Sequence, residues 1–147
     1  MIGVVVNHVR NTPVDYIMFR ELNKIARKTD CFLFVNQVHG LPMMNNFSIL
    51  QSVEALSHEG TLIATDITSC QVVKNAMMAS KKLFYLWDLE WTKLNTYESS
   101  QLFPIMHNEE IDLVVRSKKH HDIVSKMFKQ PKATVLNWRA DELLKVI

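Results

Sequence analysis

The chain has 147 residues and a formal net charge of +2, with 48% hydrophobic and 22% charged residues. This composition is typical of a globular domain and excludes a disordered chain, and so small a net charge does not by itself indicate a nucleic-acid partner. Cys31 and Cys70 lie in apolar stretches without a CxxC pair or a zinc pattern. We therefore expect buried thiols in a reducing cytoplasm. The apolar run at residues 2–6 is too short for a signal peptide or a membrane span, so we expect no membrane association.

Apolar periodicity predicts strands and helices that alternate along the chain. In chain order, apolar runs predict strands at residues 2–6, 31–35, 61–66, 82–87, 111–117 and 133–138, with a short strand near 47–50 inside a long loop over 36–51. Helical spacing predicts helices at residues 13–28, 52–58, after residue 66, within 91–108, at 118–129 and at 140–147. This alternation indicates βαβ units, so we predict one Rossmann-like three-layer α/β domain over residues 1–147, with a mostly parallel sheet of about six strands.

Particular residues are expected to mark the ends and the buried faces of these helices. The predicted N-terminal caps are Thr12 ahead of Pro13, Thr68 or Ser69, and Ser117. The helix within residues 91–108 is expected to end near Pro104, because proline cannot continue the backbone hydrogen bonds. Met77 and Met127 are expected on buried helix faces.

Polar residues that follow the predicted strands are the candidates for a functional site. In an open parallel sheet, ligands bind outside the carboxyl ends of the strands, where the strand order reverses. The substrate-binding candidates at those ends are Asn7, Asp66, Trp87, Trp91, Arg116, Ser117 and Asn137. Asp88, Glu90 and His8 are the catalytic candidates, because a carboxylate or an imidazole can take a proton from a hydroxyl group. Helix capping and turn formation explain each of these residues singly.

Several motifs are absent from the sequence, and their absence narrows the class of protein. No GxGxxG follows the first strand, no GxxxxGK[ST] occurs, and no GxSxG is present. With three glycines in the chain, a backbone cradle for phosphate is poorly supplied. His120 and His121 are neighbours on a predicted helix and point in different directions, so we predict no metal site.

Basic residues are concentrated after the fifth long strand. Lys118, Lys119 and Lys126 lie on one predicted helix and are the candidate nucleic-acid contacts. A solvated helix face explains the same pattern.

Three stretches in this order resemble the N-terminal, acceptor-side domain of a GT-B glycosyltransferase of the phage type. They are "KKLFYLWDLEW" at residues 81–91, "IDLVVRSKKHHDIVSKMF" at 111–128 and "PKATVLNW" at 131–138, and the opening strand, loop and helix at 1–29 also fit. The resemblance places the first stretch at an interdomain cleft and Asn137 where the chain crosses to the donor domain. Here the sequence ends about ten residues after Asn137, so we expect this chain to lack the donor domain of such an enzyme.

The resemblance implies a domain that binds an acceptor, either DNA or a glycan, and that acts with a partner chain or as a homo-oligomer. A nucleotide sugar is the donor it implies, and no other cofactor is evident; a phage-encoded chain would work in the host cytoplasm. A non-catalytic adaptor or inhibitor derived from a glycosyltransferase half is the alternative, based on the aromatic residues Trp87, Trp91, Tyr97 and Phe103. A flavodoxin-like domain, with Trp87 stacked on a flavin or a base, is a third reading.

Overall fold

The computed structural model describes residues 1–147 apart from the side chains of Glu90 and Glu98. Its strands are β1 (Ile2–Arg10), β2 (Cys31–Gly40), β3 (Ser48–Gln51), β4 (Thr61–Ala64), β5 (Lys81–Leu86), β6 (Ile111–Val115) and β7 (Ala133–Thr134). Its α-helices are α1 (Pro13–Ile25), α2 (Ile67–Asn75), α3 (Thr96–Met106), α4 (Lys118–Met127) and α5 (Ala140–Leu143), and 3₁₀ turns span Ser52–Ser57, Glu90–Lys93 and Leu136–Trp138.

The strands form one open sheet in the order β3-β2-β1-β4-β5-β6-β7, and every neighbouring pair is parallel. The predicted Rossmann-like α/β sandwich is therefore confirmed, with seven strands in a sheet that is parallel throughout. Strand order reverses between β1 and β4, because the chain first builds outward to β3 and then returns to the other side of β1.

Two apolar cores cover the two faces of the sheet and make three layers. One core joins Val4 and Val6 of β1 to Phe19 of α1, and the other joins Val5 of β1 to Val73 of α2. Successive side chains of a strand point to opposite faces, so β1 is apolar at consecutive positions because both of its faces are buried.

The C-terminal segment is attached to the body of the domain by two buried polar groups. The Tyr85 hydroxyl donates to the carbonyl of Val135 (2.7 Å) and accepts from the amide of Trp138 (3.2 Å). The carboxylate of Glu21, only 2% exposed, accepts from the amide of Ala140 (3.1 Å) and from Lys24 (2.8 Å). Burial alone would raise the pKa of Glu21, but the hydrogen bonds from Lys24, Ala140 and Arg20 outweigh it and hold the pKa below its usual value.

Two strands are longer than the sequence predicts. β1 continues from residue 6 to Arg10 and β2 from residue 35 to Gly40, so the loop expected at residues 7–13 shrinks to Asn11 and Thr12. Residues 7–10 of β1 and 36–40 of β2 lie beyond the ends of β4 and β3, and there β1 and β2 pair only with each other. We call this part the β1–β2 ribbon. Residues 36–39 of its β2 half are exposed, and its β1 half carries the polar Asn7, His8 and Arg10 beside the buried Val9, so neither half has the apolar run that marks a buried strand.

Other predicted boundaries and faces also need correction. The strand expected at residues 133–138 ends at Thr134, because Asn137 and Trp138 adopt positive φ angles of 46° and 61° that no strand can contain. Helix α3 passes through Pro104 to Met106, and the last helix ends at Leu143. Met77 and Met127, expected on buried faces, are 88% and 48% exposed.

Replacing Tyr85 by Phe is expected to lower the free energy of unfolding by about 1–3 kcal/mol, because two buried backbone groups lose their partner. Urea unfolding measures the loss. Tyr16→Phe, at an exposed tyrosine of α1, is the matched control and should change little. Equal stability of the two variants would contradict the anchoring role of the Tyr85 hydroxyl.

Acidification below about pH 6.5 is expected to destabilise the fold through His58. Burial and then the N-terminal ammonium lower the pKa of His58 from its usual 6.5, against a backbone hydrogen bond at Thr61 that raises it. The unfolded chain therefore takes up this proton at higher pH than the folded chain, so the free energy of unfolding falls as the pH drops through this range.

Urea unfolding between pH 7.5 and 5.5 measures that slope, which should be shallower in His58→Leu than in the unaltered protein. His39→Leu retains His58 and should retain the slope. The pKa of His120, lowered mainly by burial, contributes in the same direction to all three proteins and cancels in the comparison. An unchanged slope in His58→Leu would assign the acid sensitivity elsewhere.

Candidate functional site

The reversal of strand order between β1 and β4 coincides with an open cleft of about 660 Å³. Its lining comes from the end of β1, the starts of α1 and α2, and the start of α3. Polar and charged side chains dominate this lining, namely Asn7, His8, Arg10, Thr12, Asp15, Asp66, Thr68, Asn95, Tyr97 and Gln101. The cleft therefore lies where ligands bind in open parallel sheets, and it includes three of the sequence candidates: Asn7, His8 and Asp66.

Asp66 joins β1 to the first turn of α2. Its Oδ1 accepts from the amide of Ser69 (2.7 Å), which makes Asp66 the N-terminal cap of the helix. Its Oδ2 accepts from the amide of Asn7 (3.3 Å), beyond the point where β4 stops pairing with β1. The predicted cap at Thr68 or Ser69 was therefore wrong by two or three residues, because the Asp66 carboxylate reaches these amides first.

Asp15 makes a comparable arrangement at the first turn of α1. Its Oδ2 accepts from the amides of Thr12 (3.0 Å) and Arg10 (3.1 Å), while the Thr12 hydroxyl accepts from the amide of Asp15 (3.2 Å). This reciprocal capping box confirms the predicted cap at Thr12. The N-termini of α1 and α2 at the cleft are thus occupied by carboxylates of the chain itself.

His8 belongs to the β1–β2 ribbon and lines the cleft. Its Nδ1 is buried and forms no hydrogen bond with the described residues, and its ring lies 5.8 Å from that of His39. Asn7 beside it accepts a hydrogen bond from Asn36 (3.2 Å). The ribbon therefore presents an imidazole and an amide at the edge of the cleft.

The opposite wall of the cleft comes from the start of α3. Tyr97 is 71% exposed there, and Asn95 and Gln101 add amide groups. The sequence identified Tyr97 as an aromatic residue for a partner surface but did not predict that it lies in the same cleft as Asp66. This link depends on how α3 packs over the sheet, and the sequence carries no local signal for that packing.

Trp87, Asp88 and Arg116 form a second group, outside the lining of the cleft. The guanidinium carbon of Arg116 lies 4.8 Å from the centre of the Trp87 ring. The amide of Leu89 and then Lys93 donate to the Asp88 carboxylate and lower its pKa, with distances of 2.8 Å and 3.2 Å. The catalytic prediction at Glu90 falls on a side chain outside the described part of the structure.

The remaining candidates have structural contacts of their own. Trp91 packs edge-on against Phe128, with ring centres 5.0 Å apart, on the α2-side core. Ser117 caps α4, as predicted, by accepting from the amide of His120 (3.2 Å). Asn137 takes the left-handed conformation in the last 3₁₀ turn.

The expected basic surface is smaller than its sequence span. Lys118, Lys119 and Lys126 are exposed on α4. Lys132 instead forms an ion pair with Asp112, and Lys129 donates to the backbone carbonyl of Ile111 (2.5 Å). Of the lysines described within residues 118–132, the three on α4 therefore remain as a surface for a partner.

Among the described side chains, no group of three histidine, cysteine, aspartate or glutamate residues could hold a metal ion. In the same part of the chain, no helix combines the length and apolar character needed to cross a membrane.

Three comparisons with known proteins extend this description no further. Neither the known protein families, nor the curated proteins, nor the solved structures contain a match to this chain. The class of this protein is therefore defined by its structure. It is a Rossmann-like α/β domain with a polar, carboxylate-lined cleft at the switch point of its sheet.

Replacing Asp66 by Ala is expected to lower the free energy of unfolding by about 1–2 kcal/mol, because the amides of Ser69 and Asn7 lose their acceptor. Asp66→Asn keeps a side-chain oxygen and should lose less. Urea unfolding provides the comparison, with Asp122→Ala at an exposed carboxylate of α4 as the control. If Asp66→Ala matched that control, the bridge from β1 to α2 would carry no stability.

Proposed function

We propose that this domain binds a hydroxyl-rich ligand, such as a sugar or a sugar-bearing acceptor, in the switch-point cleft. The observation that carries the proposal is the pair of carboxylates, Asp15 and Asp66, at the N-termini of α1 and α2, which border the cleft. One such ligand is the acceptor of a glycosyl transfer, which is the role implied by the resemblance to the acceptor-side domain of GT-B glycosyltransferases.

The same carboxylates argue against phosphate in this cleft. A helix N-terminus ordinarily attracts phosphate through its free amides and its positive dipole end. Here Asp66 occupies the first turn of α2 and Asp15 that of α1, and each contributes negative charge. The three glycines, Gly3, Gly40 and Gly60, lie outside the cleft lining, so no glycine lets the backbone approach a phosphate closely.

Hydroxyl groups, in contrast, suit every wall of the cleft. A hydroxyl donates to a carboxylate or an amide oxygen and accepts from an amide N–H. Asp66 and Asn7 form one wall and Gln101 the other, so a ligand with several hydroxyls can use both sides. Tyr97 adds an exposed ring that can cover an apolar face of the ligand.

If a sugar is transferred to a hydroxyl group of the bound ligand, His8 is the proposed acceptor of the proton of that hydroxyl group. Asp66 already serves as a helix cap and holds the amide of Asn7, so its lone pairs are partly committed. Asp88 is bound by Lys93 and lies outside the cleft lining. An imidazole has the proton affinity needed near neutral pH. In such a transfer, a partner chain or a second copy would supply the nucleotide-sugar side.

A non-catalytic adaptor or inhibitor remains the alternative function. Trp91 packs within the chain and one face of Trp87 is covered by Arg116, so these two residues are less suited to a partner than the sequence indicated. Tyr97 and Phe103 stay exposed on α3 and support this alternative. Transfer of a radiolabelled sugar from nucleotide sugars to glycan or DNA acceptors distinguishes it from the enzyme, since an adaptor transfers none.

Calorimetric titration with neutral sugars, glycosides and nucleosides tests the proposed binding directly. We expect at least one hydroxyl-rich compound to bind, and Tyr97→Ala and Gln101→Ala each to weaken it about tenfold, corresponding to about 1.4 kcal/mol. Both side chains lie at the rim, so the fold should tolerate their loss.

Tyr16→Ala, at another exposed tyrosine, is the matched control and should bind as the unaltered protein does. Equal affinities in all four proteins would place the binding site elsewhere. Binding by dinucleotides in preference to every neutral compound would overturn the proposed chemistry of the cleft.

A further inference from the structure

Arg116 and Trp87 are brought together by two neighbouring strands. Leu86, the last residue of β5, pairs with Val115, the last residue of β6, so the residues that follow them start side by side. The Arg116 guanidinium lies over the Trp87 indole at 4.8 Å from its centre. Stacking uses the face of the guanidinium and leaves the N–H groups along its edge available to a ligand.

Among the described side chains, no carboxylate neutralises the positive charge of Arg116. Arg116 forms no ion pair with the described side chains. Asp88, on the adjacent loop, is instead bound by Lys93 at 3.2 Å and by the amide of Leu89 at 2.8 Å. An arginine that is held in place but lacks a carboxylate partner is a ready receptor for an oxyanion.

His120 adds a second titratable group beside this arginine. Burial lowers the pKa of His120, and the charges of Arg116 and Lys119 lower it further, while Asp88 acts in the opposite direction. Burial and the neighbouring positive charges therefore both disfavour the charged form of this imidazole, whose Nδ1 is buried without a hydrogen-bond partner among the described residues. A bound anion would offset those charges.

We propose that Arg116, oriented by Trp87 and assisted by His120, binds the phosphate of a phosphomonoester at the carboxyl ends of β5 and β6. A guanidinium edge can form two parallel hydrogen bonds to phosphate, and a protonated imidazole adds a third donor. The helix cap is a separate feature, in which the Ser117 hydroxyl accepts from the amide of His120 in the first turn of α4.

The stacking geometry also limits what part of a ligand this site takes. One face of Trp87 is covered by Arg116, and the ring also packs against the core beside Tyr85, with ring centres 6.4 Å apart. The indole is therefore poorly placed to stack on a base or a flavin, and the phosphate is the group that is recognised. This site shares no residue with the cleft lining and does not depend on the sugar proposal.

Titration with inorganic phosphate and glycerol phosphate at low ionic strength tests the site. We expect both to bind the unaltered protein, and Arg116→Gln to weaken them about tenfold or more, since charge-assisted hydrogen bonds are lost. Lys126→Gln, at an exposed cation of α4, is the control and should retain binding. Thermal unfolding of each variant establishes that it is folded.

The imidazole of His120 gives an independent readout by NMR. Phosphate should raise its pKa in the unaltered protein and leave it unchanged in Arg116→Gln, with Asp88 and Lys119 present in both. Trp87→Leu removes the stacking partner without removing a charge. It should weaken phosphate binding, because the indole ring no longer orients the Arg116 guanidinium.

Three outcomes would overturn the proposal. The first is the absence of phosphate binding at tens of millimolar, and the second is equal binding by the unaltered protein and Arg116→Gln. The third is Arg116-dependent binding of a DNA oligonucleotide without any binding of phosphomonoesters, which would assign the arginine to a nucleic-acid backbone. Sugar binding without phosphate binding would contradict this proposal alone and leave the proposed function standing.

Discussion

The position of β1 at the centre of the sheet is the constraint on which the rest of the structure depends. β1 pairs with β2 on one edge and β4 on the other, and its two faces are covered by separate cores. A β-carbon at Gly3 would lie 2.6 Å from Phe34 and 2.7 Å from Leu62, so glycine lets these side chains close over the strand. Because the chain leaves β1 towards β2 and leaves β4 towards β5 on the other side, a cleft forms at the carboxyl ends of β1 and β4.

Folding and the proposed binding chemistry share the same residues in that cleft. Asp66 caps α2 and holds β1 beyond the end of β4, while Asp15 caps α1 and holds the turn at Thr12. These local solutions to helix capping bring negative charge to the places where many α/β domains bind phosphate. The proposed preference for hydroxyl groups is thus a consequence of how two helices begin. A phosphate would be recognised elsewhere, at the stacked Arg116.

The sequence predicts the features that depend on local patterns. Continuous apolar runs identify the buried parts of β1 and β2, and Thr12 and Ser117 are recognisable helix caps. The rule for parallel sheets also groups Asn7, His8 and Asp66 at one edge, where the structure brings them together.

Features that depend on tertiary contacts could not be predicted in this way. Polar side chains interrupt both strands of the β1–β2 ribbon, so these strands resemble loops until their pairing is known. The sequence makes Trp91 a candidate for substrate binding, but in the structure its ring packs against that of Phe128. The contact of Arg116 with Trp87 requires β5 to lie beside β6, which the order of residues along the chain does not state.

Mapping amide shifts by two-dimensional NMR during titration with a binding sugar tests the central claim most directly. The account predicts that the largest changes cluster at the end of β1, the first turn of α2 and the start of α3, around Asn7, Ser69 and Tyr97. Changes confined to another surface, such as the exposed face of α4, would contradict it.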